Sequence, residues 1–110
     1  MNAAGIIKTL AMLPHPEGGW YVETFRDGKG ERRGHSTAIY YVLEAGQKSH
    51  WHRVTDASEV WHFYAGSALE LSLSASGQRA ETRILGTDLA KGERPQIVVP
   101  ASHWQSARSL

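Results

Sequence analysis

The chain starts with a helical pattern and then changes to the alternation that is typical of β-strands. Apolar residues recur at helical spacing within residues 3–13, and Asn2 precedes them as a candidate N-cap. These apolar residues are Ile6, Ile7, Leu10 and Leu13. Pro14 and Pro16 end the pattern, because proline cannot continue a helix. We therefore predict one short N-terminal helix followed by a different kind of structure.

Short β-branched and aromatic segments occupy most of the remaining chain, with turn residues between them. The segment STAIYYVL, residues 36–43, gives the strongest strand signal. The predicted strands lie near residues 20–26, 36–43, 48–53, 59–64, 68–74, 81–85, 96–100 and 103–108. One short helix before about eight short strands predicts an all-β fold, and a jelly-roll barrel is the architecture that we favour. The central pocket of such a barrel suits a small ligand.

Composition narrows the classes of function. With 12 basic and 11 acidic side chains, the net charge of +1 gives no footprint for nucleic acid or an anionic membrane. The absence of cysteine excludes disulfides, zinc–thiolate sites and thiol nucleophiles. At 110 residues the chain is near the common size for a single core, so we expect one domain over residues 1–110. The first residues contain neither a signal-peptide pattern nor a long apolar run, so we expect a cytoplasmic location.

The segment HWHRVTDASEVWH, residues 50–62, concentrates the candidate chemistry. Residues two apart in a strand share a face, so strict alternation places His50 and His52 together, as a β-barrel does for two ligands of one metal ion. Glu59 opens the next strand and can lie opposite them. On that strand the alternation places Glu59 and Trp61 on one face and His62 on the other. We therefore expect His62 to make a structural hydrogen bond.

Other polar and aromatic residues have ordinary structural interpretations. His15 lies beside two prolines and His35 lies in a glycine-rich loop, so we expect both to be solvated. Tyr41 and Tyr64 are candidates to line the pocket with a hydroxyl group, and the strand pattern does not separate them.

The motif around His52 resembles the first motif of cupin barrels, which is a glycine, H-x-H, a glutamate, six residues and a second glycine. The corresponding residues here are Gly46, His50, His52, Glu59 and Gly66, with the first two intervals differing in length from the cupin pattern.

The second cupin motif, P-x-G-x-x-H, resembles the stretch that starts at Pro100. In this chain Ser102 stands at the glycine position and Gln105 stands where the third metal-binding histidine is expected. His103 lies on the same strand face as Gln105 by alternation, so it is an alternative ligand-binding residue.

Several longer stretches are similar to the cupin branch catalogued as domain of unknown function 985. They are LPHPEGGWYVETFR, STAIYYVLEAGQKSHWHRV, EVWHFYAGSALELSL and LGTDLAKGERPQIVVPASHWQSAR. The resemblance implies a cupin jelly roll, usually a homodimer, that is distantly related to sugar-nucleotide epimerases, and it implies no established reaction. Members often have an apolar or small residue at His50, which makes His52 the firmer site residue. Members also usually continue beyond the strand that ends near Leu110, so the resemblance leads us to expect a barrel that is either truncated or covered by a partner subunit.

Three functions are compatible with these residues. The first is a metal-dependent or metal-binding cupin in which His50, His52 and Glu59 are tentative ligands of Ni, Mn, Fe or Zn, with Gln105 or His103 as the fourth. The second is a metal-free site of epimerase or isomerase type for a sugar-like or sugar-nucleotide-like metabolite. The third is a module that binds such a metabolite without turnover.

The metal-free site is the function that we favour. In it His52, held by the carboxylate of Glu59 or Asp56, is the general base, and Tyr41 or Tyr64 supplies a proton. The remaining ligand-binding candidates are His50, Gln105, His103 and Trp61. Because glutamine is a poor ligand for these metals, Gln105 favours a site without a metal cofactor.

Overall fold

The computed structural model describes residues 1–28 and 36–110, so the expectation for His35 lies outside the described residues. The elements are α1 (Ala3–Thr9), β1 (Leu13–Pro14), β2 (Trp20–Arg26), β3 (Thr37–Val42), β4 (Lys48–Arg53), β5 (Glu59–His62), β6 (Leu69–Ser74), β7 (Glu81–Leu85), β8 (Gln96–Val99) and β9 (Trp104–Ser109), with a 3-10 turn at Leu89–Lys91. The predicted all-β fold with an N-terminal helix is confirmed, and each predicted strand is present.

The helix α1 begins where the sequence predicted and ends earlier. The Asn2 side chain accepts a hydrogen bond from the Gly5 amide at 2.9 Å, which confirms it as the N-cap. The prediction that the helix reaches Leu13 was wrong, because Ala11 takes a left-handed φ of 52° and Leu13 pairs with Tyr21 in β2. The ring of Pro14 favours an extended conformation at Leu13, which is the physical reason for the early end.

The strands form three antiparallel sheets. Their orders are β1-β2-β3, β4-β9-β6-β7 and β5-β8. The core lies where the inner faces of the second and third sheets meet, and it consists of Leu71, Leu73, Leu85, Ile97, Val99 and Ala107, with Leu43, Trp61, Phe63 and Leu69 packed against it. Burial of these aliphatic side chains is the main stabilising contribution that this arrangement provides.

The strand β5 shows the alternation that the sequence predicted. Glu59 pairs with Val99 and Trp61 pairs with Ile97, and both partners are buried, so this face points inward. His62 lies on the exposed face, where its Nδ1 is 3.3 Å from the side-chain nitrogen of Gln96. The structural hydrogen bond that we expected for His62 is therefore present.

No helix in the described ranges 1–28 and 36–110 is long and apolar enough to cross a membrane.

Candidate functional site

A bulge in β4 determines which of its side chains face the interior. Ser49 pairs with Ala107 and His52 pairs with Gln105, so the four residues 49–52 of β4 lie opposite the three residues 105–107 of β9. Because Ala107 and Gln105 share the inner face, Ser49 and His52 share it as well. The strict alternation that placed His50 beside His52 was wrong for this strand, because the bulge interrupts it.

His50 acts in the site through its backbone. Its amide donates to the Glu17 carbonyl oxygen at 2.7 Å instead of to β9. Its carbonyl oxygen lies 2.8 Å from Nδ1 of His52 and can only accept a hydrogen bond, so Nδ1 of His52 carries the proton. The neutral His52 ring therefore has its lone pair on Nε2. The partner that orients this ring is a carbonyl group and not the carboxylate of Glu59 that we expected.

A turn over residues 15–19 packs against β3 and β4 and carries a second histidine. The His15 amide donates to the Gly19 carbonyl oxygen at 2.8 Å, which closes the turn. Gly18 has a φ of 115°, and a β-carbon there would overlap the carbonyl oxygen of Lys48. The Tyr41 hydroxyl donates to the Gly18 carbonyl oxygen. Because residue 18 is glycine, the turn can approach the backbone of β4 closely, and this contact positions His15 against the sheet.

His15 is half-buried in an aromatic cluster, so the expectation that it is solvated was wrong. Its ring centroid lies 5.0 Å from that of Tyr21, 5.2 Å from that of Tyr41 and 6.5 Å from that of His52. Burial lowers the pKa of His15, and the neighbouring His52 lowers it further, while Glu17 and Glu59 partly offset both effects.

Nδ1 of His15 accepts a hydrogen bond from the Glu17 amide at 3.0 Å. The neutral ring therefore carries its proton on Nε2, which is the opposite arrangement to that of His52.

Tyr41 has a positioning role in this geometry. Burial raises the pKa of its phenol, the hydrogen bond with Ser49 acts in the opposite direction, and Glu17 raises the pKa further. Its proton is directed at the Gly18 carbonyl oxygen. Tyr41 therefore lies at the site, and its hydroxyl group stabilises the turn through this hydrogen bond.

Gln105 and Trp61 form a buried polar pair. Gln105 is 1% exposed, and its Oε1 accepts a hydrogen bond from the indole nitrogen of Trp61 at 3.0 Å. This bond fixes the orientation of the amide, because the indole can only donate. The amide NH₂ of Gln105 makes no hydrogen bond to any described residue, so it is available to an acceptor on a ligand. The Trp61 ring also lies 5.7 Å from that of Tyr41.

Glu59 faces inward and acts electrostatically on His15, as its effect on the pKa of that histidine indicates. Its carboxylate is half-buried and makes no hydrogen bond to any of the residues in the described ranges. A carboxylate in this setting can accept hydrogen bonds from ligand hydroxyl groups.

We call the inward-facing residues the histidine cluster, which consists of His15, Tyr21, Tyr41, His52, Glu59, Trp61 and Gln105. Three of the predicted site residues lie away from it. The His50 side chain is exposed and lines an open depression of about 220 Å³ on the outer face of the β4-β9-β6-β7 sheet. Tyr64 is 76% exposed and stacks on His62 with ring centroids 6.5 Å apart. His103 lines a second depression beside Leu73 and Arg79.

The side chains predicted as metal ligands do not converge on one point in the described residues. In the described part of the chain no group of three or more His, Asp or Glu side chains is placed to hold one ion. The His50 side chain is on the other face from His52. The only metal-binding atom of Gln105, its amide oxygen, already accepts from Trp61.

The sequence predicts a turn at HPEGG, but it did not indicate His15 or Tyr21 as site residues. The available signal was the HPEGGWY segment, in which adjacent glycines follow a proline and precede aromatic residues. Such a pair indicates a turn that needs left-handed backbone or close packing, and both glycines have positive φ here. That pattern does not show which strand the turn packs against.

Comparisons with known proteins agree with this fold. The family described as "Cupin superfamily (DUF985)" matches residues 4–110. A crystal structure of a protein from Shewanella oneidensis is similar, with a TM-score of 0.91 and 36% identity, over 99% of this chain and 70% of that one. A hypothetical protein from Leishmania major has a TM-score of 0.87 and 29% identity, over 97% of this chain and 69% of that one. No match was found among curated proteins.

Proposed function

Because the chain belongs to the cupin superfamily, in the family of domains of unknown function 985, we propose that it binds a small polar metabolite inside the barrel. The ligand is sugar-like or sugar-nucleotide-like, and the chemistry is a proton transfer of the isomerase or epimerase type. The inward-facing residues support this ligand class. Trp61 and Tyr41 provide apolar aromatic surface, while Gln105 provides a hydrogen-bond donor and Glu59 an acceptor.

The orientation of His52 is the observation that carries the proposal. Its Nδ1–H donates to the His50 carbonyl oxygen, so the imidazole ring is held in one tautomer with Nε2 unprotonated. An unprotonated imidazole nitrogen with a free lone pair can accept a proton, which suits a general base. His52 is thus the general base in this proposal, and the other residues bind and orient the ligand.

The test is solvent exchange at carbon in D₂O. Aldoses, ketoses and nucleoside diphosphate sugars are incubated with the protein, and deuterium incorporation next to the carbonyl group is followed by ¹H NMR. His52→Asn keeps a side-chain N–H near the position of Nδ1 and removes Nε2, so it is expected to abolish exchange while the protein stays folded. His62→Asn is the matched control on the exposed face and is expected to exchange at the wild-type rate. Equal exchange in wild type and His52→Asn would refute the assignment of the base.

We also propose that the protein is a homodimer. Val60 and Val98 are directly opposite each other on the outer face of the β5-β8 sheet and are 50% and 51% exposed, with exposed Tyr64 nearby along the chain. Contiguous exposed apolar side chains occur at protein–protein interfaces, and this pair with Tyr64 supports the proposal. Light scattering should give twice the 12.2 kDa chain mass. Val60→Asp should lower that mass, whereas Leu89→Asp, at another exposed apolar position, should not. The expected cytoplasmic location stays a prediction.

A further inference from the structure

Two half-buried histidines from distant parts of the chain lie beside each other in the histidine cluster. The centroids of the His15 and His52 rings are 6.5 Å apart, and the ring planes are inclined at 45°. His15 comes from the turn before β2, and His52 comes from the bulged strand β4. At this separation one small ligand group can contact both rings, since a hydrogen bond from each ring nitrogen spans about 3 Å.

The backbone holds the two rings in opposite tautomers. The Glu17 amide donates to Nδ1 of His15, which leaves the proton on Nε2. The His50 carbonyl oxygen accepts from Nδ1 of His52, which leaves the lone pair on Nε2. Burial and the proximity of His52 lower the pKa of His15 and so favour its neutral form, although Glu17 and Glu59 partly offset them. The pair therefore offers one N–H donor and one basic nitrogen.

We propose that His15 is a second catalytic residue, whose Nε2–H binds the carbonyl oxygen of an α-hydroxy-carbonyl substrate while His52 removes the proton from the adjacent carbon. This inference rests on the function proposed above and assigns the role of oxyanion donor, which Tyr41 does not fill because its hydroxyl donates to Gly18.

The reaction step balances without any further reactant. The C–H bond next to the carbonyl group breaks, and its proton goes to Nε2 of His52. The electron pair of that bond forms the C=C bond of an enediolate, and the former carbonyl oxygen becomes an anion that accepts the hydrogen bond from His15. Return of the proton from His52 to the same carbon restores the substrate. Its return to the former carbonyl carbon moves the carbonyl group, while the oxyanion takes the proton of the neighbouring hydroxyl group. If a deuteron from D₂O replaces the proton on Nε2 of His52 before it returns, the substrate becomes labelled with deuterium.

The remaining polar groups favour a hydroxylated substrate. Gln105 keeps a free amide NH₂ within the described part of the site, and Glu59 has a half-buried carboxylate on the same inner surface. Hydroxyl groups can bind both, since each hydroxyl donates and accepts. Open-chain hydroxyketones and hydroxyaldehydes combine such hydroxyl groups with the carbonyl group that the two histidines require.

The first experiment needs no ligand. Long-range ¹H–¹⁵N correlation spectra of protein labelled with ¹⁵N-histidine distinguish the two tautomers, and His15→Asn and His52→Asn assign the signals. At pH 7.5 we expect the Nε2–H tautomer for His15 and the Nδ1–H tautomer for His52. The same tautomer in both rings, or a charged His15, would overturn the inference.

The second experiment measures deuterium incorporation into dihydroxyacetone in D₂O with two substitutions at His15. Asparagine places an oxygen near the position of Nδ1, so His15→Asn keeps the acceptor for the Glu17 amide and lacks the Nε2–H donor. Glutamine places its amide near the position of Nε2, so His15→Gln restores a donor. We expect His15→Asn to slow exchange by about 100- to 1000-fold and His15→Gln to be the faster of the two.

The outcomes separate this inference from the proposed function. If His52→Asn abolishes exchange and His15→Asn leaves the exchange rate unchanged, only the proposed role of His15 is overturned. Equal losses in His15→Asn and His15→Gln, accompanied by equal losses in thermal stability, also overturn it, because they indicate a structural role. No exchange of dihydroxyacetone by the wild-type protein overturns both the catalytic role of His15 and the acid–base chemistry of His52 on this substrate class.

Discussion

The hydrogen bond between Gln105 and Trp61 should be a measurable source of stability. Gln105 is 1% exposed, and its oxygen lies 3.0 Å from the indole nitrogen. Gln105→Leu leaves the Trp61 donor without its partner, and Trp61→Phe leaves the Gln105 oxygen without its donor. Each unpaired group costs about 1–3 kcal/mol. The double variant removes both polar ends together, so its loss should be smaller than the sum of the two single losses.

We expect a coupling free energy of about 1–2 kcal/mol between the two positions. For a chain of this size, a urea m-value of about 1.5 kcal/mol/M converts this coupling into a displacement of the midpoint by about 1 M. Urea unfolding followed by far-UV circular dichroism measures it, with the protein concentration held constant because the proposed dimer makes stability depend on it.

A control cycle combines Gln105→Leu with Trp51→Phe. Trp51 is 48% exposed and lies on the bulge of β4, away from the amide. Its coupling with Gln105 should stay below about 0.5 kcal/mol, the usual limit for independent sites. If the coupling of Gln105 with Trp61 is as small as that of the control, the hydrogen bond does not contribute to stability and the reasoning fails.

Three further predictions follow from the backbone and from the buried histidine. Ser102 has a φ of 68°, so Ser102→Gly should raise the free energy of unfolding by about 0.5–1 kcal/mol in urea titrations, and a loss would contradict this. Gly18→Ala should cost about 2 kcal/mol, because a β-carbon would overlap a backbone carbonyl oxygen at a φ of 115°, and an unchanged urea midpoint would contradict that. Burial and His52 lower the pKa of His15 below 6.5 in the folded protein. As the pH drops, His15 is therefore protonated in the unfolded chain before it is protonated in the folded one, so the free energy of unfolding should fall from pH 6.5 toward the lower folded pKa. The full stability should be present above pH 6.5. In thermal scans at several pH values, His15→Asn should reduce this loss. An equal dependence of the melting temperature on pH in the variant and the wild type would contradict the contribution of His15.

Local patterns were sufficient for most of the secondary structure. Asn2 caps the helix because a side-chain oxygen beside free amides needs no distant partner. The alternation of Glu59, Trp61 and His62 was correct because β5 pairs with β8 without interruption. A period of two in the sequence becomes two faces in space wherever the pairing is regular.

The site depended on contacts that no local pattern contains. The bulge in β4 exists where the Glu17 carbonyl oxygen takes the amide hydrogen of His50, and one shifted pairing moves His50 to the outer face. His15 looked like a solvated loop residue because its burial depends on the docking of Gly18 under Tyr41, which is 23 residues away.

The sequence alone therefore determined the class of fold, the positions of the strands and His52 as the central candidate. Only the tertiary structure decided that His15 faces His52, that Tyr64 and the His50 side chain do not, and which nitrogen of each ring carries the proton. Alternation and capping act over a few residues, whereas the bulge, the docked turn and the bond between Trp61 and Gln105, 44 residues apart, require the chain to be folded.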